Sequence, residues 1–230
     1  MTLKEYREKR RFAVTPEPAG KTAAENRKDA PRIFVVQKHR ASRLHYDFRL
    51  EWNGTLLSWA VPKGTSPDPS VKRLAMQVED HPIDYANFEG VIPEGEYGGG
   101  TVMVWDKGTW EPEQPDPEAA LKKGDLKFTL HGKKLHGSWV LVRTYGFGGS
   151  SKPSWLLIKH RDKYASSKDL TVAEPKSALS NRLLADIARD GGGDVELAAT
   201  GDPAGKSAPK KTSKRAKPAP AAKSPRKRRA

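Results

Sequence analysis

The sequence predicts an all-β fold: a small closed or partly closed antiparallel β-barrel with one or two short helices and disordered termini. Two observations carry this. From Ile33 to about Tyr164 the chain alternates in short apolar runs separated by turn residues, as barrels and sandwiches do. On either side that pattern gives way to polar, proline-broken or basic sequence that cannot bury a core.

Residues 1–30 read as an N-terminal arm, with a short helix around Leu3 to Lys9 and then a stretch broken by Pro16, Pro18 and Gly20. Residues 31–165 form the barrel, opened by Ile33–Gln37. His45–Trp52 and Thr55–Val61 flank Asn53-Gly54, a two-residue hairpin signal that favours a type I′ turn. Leu74–Val78 follows. Thr101–Trp105 and Thr109–Glu111 are expected as separate strands about Asp106-Lys107-Gly108. Phe128–Leu130, Ser138–Arg143 and Trp155–His160 complete the set. One helix interrupts it, capped by Asp116, started by Pro117 and ended by Gly124. Residues 166–202 read as a linker, with a short amphipathic helix over Asn181 to Arg189 and a flexible Gly191-Gly192-Gly193. Residues 203–230 are expected to be a disordered basic tail.

The chain of 230 residues has no cysteine, which excludes disulfides and thiolate metal sites and suits a reducing compartment. The charged start MTLKEYREKRR lacks the apolar core of a secretory signal, and no apolar run is long enough to span a bilayer. A cytoplasmic, nucleoid-associated protein is expected, with no membrane partner. The net charge is +14, and eleven positive charges lie after Asp202, where no acid remains; 14 minus 11 leaves +3 for everything else. Such a tail suits sequence-independent binding to phosphates.

The most informative segment is Gln37-Lys38-His39-Arg40-Ala41-Ser42-Arg43-Leu44-His45-Tyr46-Asp47-Phe48-Arg49-Leu50. Side chains alternate across a strand, so His45, Asp47 and Arg49 share one face while Tyr46, Phe48 and Leu50 anchor the other. A half-buried strand ordinarily turns a mixture of Thr, Lys and Glu outward. Here an imidazole, a carboxylate and a guanidinium stand in a row, about 7 Å between alternate residues. His45 and Asp47, with His39 one loop earlier, suit Mn²⁺ or another divalent ion of similar hardness. Arg49 is shaped to take a phosphate by paired hydrogen bonds. Any one of these residues alone would read as a solvent-facing side chain on an exposed strand; together they read as a phosphoryl-transfer surface.

In Glu79-Asp80-His81-Pro82-Ile83-Asp84-Tyr85, His81 is a candidate proton donor and Tyr85 a candidate phosphate contact, or else a strand end and a packing ring. Pro93-Glu94-Gly95-Glu96-Tyr97-Gly98-Gly99-Gly100 lacks the Lys-Ser/Thr ending of a nucleotide-binding loop and reads as a tight turn. Lys63, Lys72 and Arg73 are candidate contacts to a DNA backbone.

Residues from about 3 to 165 resemble the 3′-phosphoesterase domain of bacterial DNA ligase D, the end-joining ligase, and its free-standing homologues. The resemblance rests on Gln37-Lys38-His39, His45-Tyr46-Asp47-Phe48-Arg49-Leu50-Glu51, Trp59-Ala60-Val61-Pro62-Lys63-Gly64, Glu79 to Tyr85 and Glu89 to Gly98. Ser177–Ala188 also resembles the linker leading to that enzyme's ligase module. The resemblance implies a small β-barrel and two steps: removal of a terminal ribonucleoside to leave a 3′-phosphate, then hydrolysis of that phosphate. It implies His39, His45 and Asp47 as manganese ligands, and Arg49, His81 and Tyr85 as phosphate-contacting and catalytic residues. Lys63 and Arg73 join Arg49 and Tyr85 as substrate-binding candidates, and Arg10, Glu17 and Glu79 match accessory positions of the ribonuclease step. The family's Lys-Arg-Asp-Phe reads Lys9-Arg10-Arg11-Phe12 here, a charge reversal that weighs against the ribonuclease step more than the phosphatase step. The implied partners are DNA 3′ ends and primer-templates with terminal ribonucleotides, a DNA ligase or polymerase, and the Ku end-binding protein. A non-catalytic DNA-end-binding protein and a phosphoesterase of small metabolites are the alternatives.

Overall fold

The structure is a computed structural model that describes residues 3–20, 30–145 and 154–203. The basic tail from 204 onward lies outside the described residues. Among the described residues nine strands form: β1 (Ile33–Arg40), β2 (Leu44–Trp52), β3 (Thr55–Val61), β4 (Lys72–Pro82), β5 (Gly90–Ile92), β6 (Gly100–Pro112), β7 (Asp125–Gly132), β8 (His136–Thr144) and β9 (Ser154–Lys159). Eight pair antiparallel in the order β1-β2-β3-β4-β9-β8-β7-β6, and β6 returns to β1 to close the barrel. β5 adds to the start of β6. The helices are α1 (Lys4–Glu8), α2 (Pro117–Lys123), α3 (Leu170–Ala173), α4 (Leu184–Asp190) and α5 (Val195–Ala199). None of the described helices is long and apolar enough to cross a membrane.

Local chemistry accounts for several elements. Asn53 and Gly54 both adopt positive φ, 47° and 79°, as the type I′ turn between β2 and β3 requires. Asp116 accepts from the Ala119 N–H at 2.9 Å to start α2, and Gly124 ends it in the left-handed region. Alternation divides the barrel wall. Phe34, Val36, Tyr46, Phe48, Leu50, Leu57, Trp59, Met103 and Trp105 fill the interior with Phe128, Trp139 and Trp155. Val35, Leu56 and Val104 turn outward and pack with Tyr6, Tyr85 and Ala86 from the covering elements.

Two expectations are corrected. The strands expected on either side of Asp106-Lys107-Gly108 are one strand, β6, which pairs with β1 from Thr101 to Thr109. Asp106 does not turn the chain: its buried carboxylate accepts the backbone N–H groups of Lys107, Lys133, Lys134 and Leu135, pinning the β7–β8 connection. Gly108 is there for close approach, since a Cβ would lie 2.0 Å from the His131 carbonyl oxygen. The second correction concerns residues 166–202, which carry three helices rather than one. Leu184, Ile187, Ala188 and Ala198 join the interior cluster, so the segment caps the barrel instead of running free of it. Gly191 and Gly193 press on Val91 of β5, where added Cβ atoms would come within 2.7 and 2.9 Å. Gly191 and Gly193 are small for packing, while Gly192 between them takes a positive φ of 71°.

Candidate active site

The cluster expected from the sequence forms on the outer face of β1 and β2. Their register sets His39 directly opposite His45, and Gln37 opposite Asp47. The imidazole centroids are 4.7 Å apart. His39 Nδ1 lies 3.8 Å from one Asp47 carboxylate oxygen, and His45 Nε2 lies 3.8 Å from the other. One ligating atom from each of the three residues falls within 4.8 Å of the others, a spacing one cation can bridge.

The remaining ring nitrogens are already committed. His39 Nε2–H donates to the Gly98 carbonyl at 2.9 Å, and His45 Nδ1–H donates to the Arg43 carbonyl at 3.0 Å. In the neutral, metal-binding form of each ring these partners set the tautomer and leave the nitrogen facing Asp47 as the one free to ligate. Burial opposes the charge on Asp47, but the Arg49 guanidinium is the largest influence against it, and the carboxyl is held well below the usual carboxylate range. Two imidazole nitrogens and a fixed carboxylate fit a divalent ion of the Mn²⁺ type.

Arg49 is 2% exposed and held from every side. Its Nε donates to Gln37 Oε1 at 2.8 Å and its Nη1 to Ser58 Oγ at 2.7 Å, while Nη2 lies 3.2 Å from Asp47 Oδ2. Gln37 in turn donates to the carbonyls of Tyr85 and Phe88, which fixes the 3₁₀ turn Ile83–Asn87 against the wall.

His81 reaches this face through a register shift. β4 carries one extra residue between the Ser58–Val78 and Leu56–His81 pairs, which turns His81 outward. The imidazole is 3% exposed. Nδ1 lies 2.9 Å from both the Glu79 carbonyl and Arg49 Nη1, and Nε2 faces Arg10 Nη2 at 3.2 Å. Burial, then Arg49 and Arg10, push its pKa well below the ordinary histidine value, so the ring is neutral here.

The arm closes the site. Tyr6 of α1 is fully buried against His81 and Tyr85. Arg10 donates to Glu17 at 2.8 Å and to Glu79 at 3.2 Å, and Tyr85 donates its hydroxyl to Glu17 at 2.9 Å. Burial, then the Glu17 charge, raises the Tyr85 pKa well above its ordinary value, so the phenol stays protonated. Lys9 bonds Glu79 at 3.1 Å.

Thus His39, His45, Asp47, Arg49, His81, Tyr85, Arg10, Glu17 and Glu79 come together. Lys63 and Arg73 make no hydrogen bond or ion pair with the cluster among the described residues. Lys63 is exposed just beyond β3, whereas Arg73 alternates with the interior Ala75 and pairs in register with Leu157, on the opposite side of the wall. Sequence reasoning passed over Ser58 and Gly98 as functional positions. Gln37 was legible only as a residue two before His39, on the same strand face.

Residues 37–143 match the family described as the DNA ligase D 3′-phosphoesterase domain. These residues belong to that family. This phosphoesterase domain is 54% identical over 187 residues to the multifunctional non-homologous end joining protein LigD of Pseudomonas aeruginosa, covering 79% of this chain and 22% of that protein. It is 47% identical over 146 residues to the multifunctional non-homologous end joining DNA repair protein LigD of Mycobacterium tuberculosis, covering 63% of this chain and 18% of that one. The protein of Mycolicibacterium smegmatis is 40% identical over 168 residues, 70% of this chain and 21% of its own length. The chain therefore spans about a fifth of the relatives it matches.

Proposed function

We propose that this chain is a divalent-cation-dependent phosphoesterase, using Mn²⁺, that converts 3′-phosphate ends of DNA to 3′-hydroxyls during repair of double-strand breaks by non-homologous end joining. One observation supports this most. Two imidazoles are turned by backbone carbonyls so that their lone pairs face one ionised carboxylate, with a buried guanidinium alongside.

His39, His45 and Asp47 would hold the cation, which would supply neutralisation of charge on a phosphoryl oxygen. Arg49 is already oriented by Gln37 and Ser58, so it meets a second phosphate oxygen without reorganising. Tyr85 turns its protonated hydroxyl toward the same space, shared with Glu17. A phosphate dianion offsets the Arg49 and Arg10 charges, which after burial are the chief influences disfavouring a proton on His81. The imidazole takes a proton from solvent on Nε2 and passes it to the 3′ oxygen as the bond from that oxygen to phosphorus breaks; the attacking water forms the new P–O bond, keeps one proton on the released hydrogen phosphate and returns the other to solvent.

The same site removes a terminal ribonucleoside, with Arg10, Glu17 and Glu79 shaping the arm's side of the pocket. Lys63 and the basic tail contact the DNA backbone, the tail setting the salt dependence of binding. The domain acts beside a DNA ligase or polymerase and the Ku end-binding protein on the bacterial nucleoid.

Phosphate release from a 3′-phosphate-terminated duplex tests the reading. With Mn²⁺ the terminal phosphate is released, and chelation lowers the rate by at least about 100-fold. Undiminished release under chelation contradicts it, as does no release with any divalent ion.

A further inference from the structure

We infer that Arg11 is a positioning residue for the cation site: it clasps the loop 93–99 and so fixes the carbonyl that orients His39. This rests on the metal reading of His39, His45 and Asp47 and adds to it a residue that touches none of them.

The connection can be followed bond by bond. Arg11, on the arm just after α1, forms a forked ion pair with Glu96, its Nε donating to one carboxylate oxygen at 3.2 Å and its Nη2 to the other. The Arg11 side chain is largely exposed, while the Glu96 carboxylate is 5% exposed. Glu96 is the joint of two successive turns, donating its N–H to the Pro93 carbonyl at 3.2 Å and accepting from the Gly99 N–H at 3.0 Å. Gly98 sits inside the second turn at φ 78°, a conformation glycine adopts without strain. That conformation aims the Gly98 carbonyl at His39 Nε2, 2.9 Å away. With Nε2 held, Nδ1 keeps its lone pair toward Asp47.

The rest of the arm's basic run braces the same loop. Lys9 lies over the Tyr97 ring at 4.9 Å and Arg10 at 5.6 Å. Both also reach Glu79. Lys9-Arg10-Arg11 therefore ties the arm to the loop at consecutive positions, and Arg11 makes the tie to Glu96. The basic residue that stood out in the sequence as a charge reversal has an acidic partner, and that partner controls a turn of the site.

Mn²⁺ binding to the full chain, read from the free-ion electron paramagnetic resonance signal, tests this in Arg11→Ala, Arg11→Glu and Arg11→Lys. Removing a direct outer partner of a metal ligand costs about 10- to 100-fold in affinity, and Arg11 acts one link further out. Arg11→Ala should therefore weaken binding by roughly 3- to 10-fold and Arg11→Glu by more. Arg11→Lys should stay within about 2-fold of the parent chain, because it keeps a charge against Glu96. The thermal midpoint of the metal-free chain should move by no more than about 2 °C in any of them, as expected for one exposed side chain. Equal affinities in all four chains overturn the clasp, as does Arg11→Lys weakening binding as much as Arg11→Ala. If the parent chain itself takes up no Mn²⁺, the clasp falls together with the metal reading, so the two failures are distinguishable.

Discussion

Asp47→Ala is expected to lower the rate of 3′-phosphate release by on the order of 10³-fold or more, even at saturating Mn²⁺. Both imidazole lone pairs converge on this carboxylate, so its loss leaves the cation only two neutral ligands on this face. It also removes the anionic partner of Arg49, which is buried and then keeps only neutral acceptors. Breaking a buried pair from one side costs about 3 kcal/mol or more. For a chain of this size that corresponds to a fall in thermal midpoint of roughly 6–12 °C. Steady-state kinetics with a metal titration, beside a melting curve, separates the two losses. A variant of parental activity removes Asp47 from the site.

Arg49→Lys is expected to lower kcat by about 10²-fold, although it preserves the charge. The guanidinium reaches Gln37, Ser58 and Asp47 through three different nitrogens at once. An ammonium on a flexible stem cannot hold all three directions, and Gln37 then loses the donor that orients its amide oxygen. Because Gln37 also secures the Tyr85 and Phe88 carbonyls, His81 and Tyr85 lose part of their support. The informative comparison is kcat against melting temperature. A lower midpoint with unchanged kcat assigns Arg49 to the wall alone, whereas a large fall in kcat assigns it to the phosphoryl group.

Much of this site is legible in the sequence because it depends on local periodicity. The His45-Tyr46-Asp47-Phe48-Arg49 alternation sorts chemistry from core without tertiary information, and Asn53-Gly54 fixes the next turn. The expected pairing of His39 with that strand face needs only a short connection between β1 and β2. What could not be read depends on contacts distant in sequence. A one-residue bulge on β4 decides which way His81 points, and nothing in Val78-Glu79-Asp80-His81 announces it. Asp106-Lys107-Gly108 has turn chemistry, yet its carboxylate serves the β7–β8 connection and its glycine makes room for a neighbouring strand. The triglycine after α4 looks like a linker until Val91 is seen against it. Lys63 and Arg73 are neighbours of predicted strands, but strand parity at Arg73 turns it inward.

The central claim is that His39, His45 and Asp47 close on one cation beside Arg49. Anomalous diffraction from crystals of this chain grown with Mn²⁺ tests it most directly. The account predicts a single strong peak at bonding distance from His39 Nδ1, His45 Nε2 and the Asp47 carboxylate, with both outer ring nitrogens still on the Gly98 and Arg43 carbonyls. A peak elsewhere, or a site using the opposite nitrogen of either ring, contradicts it.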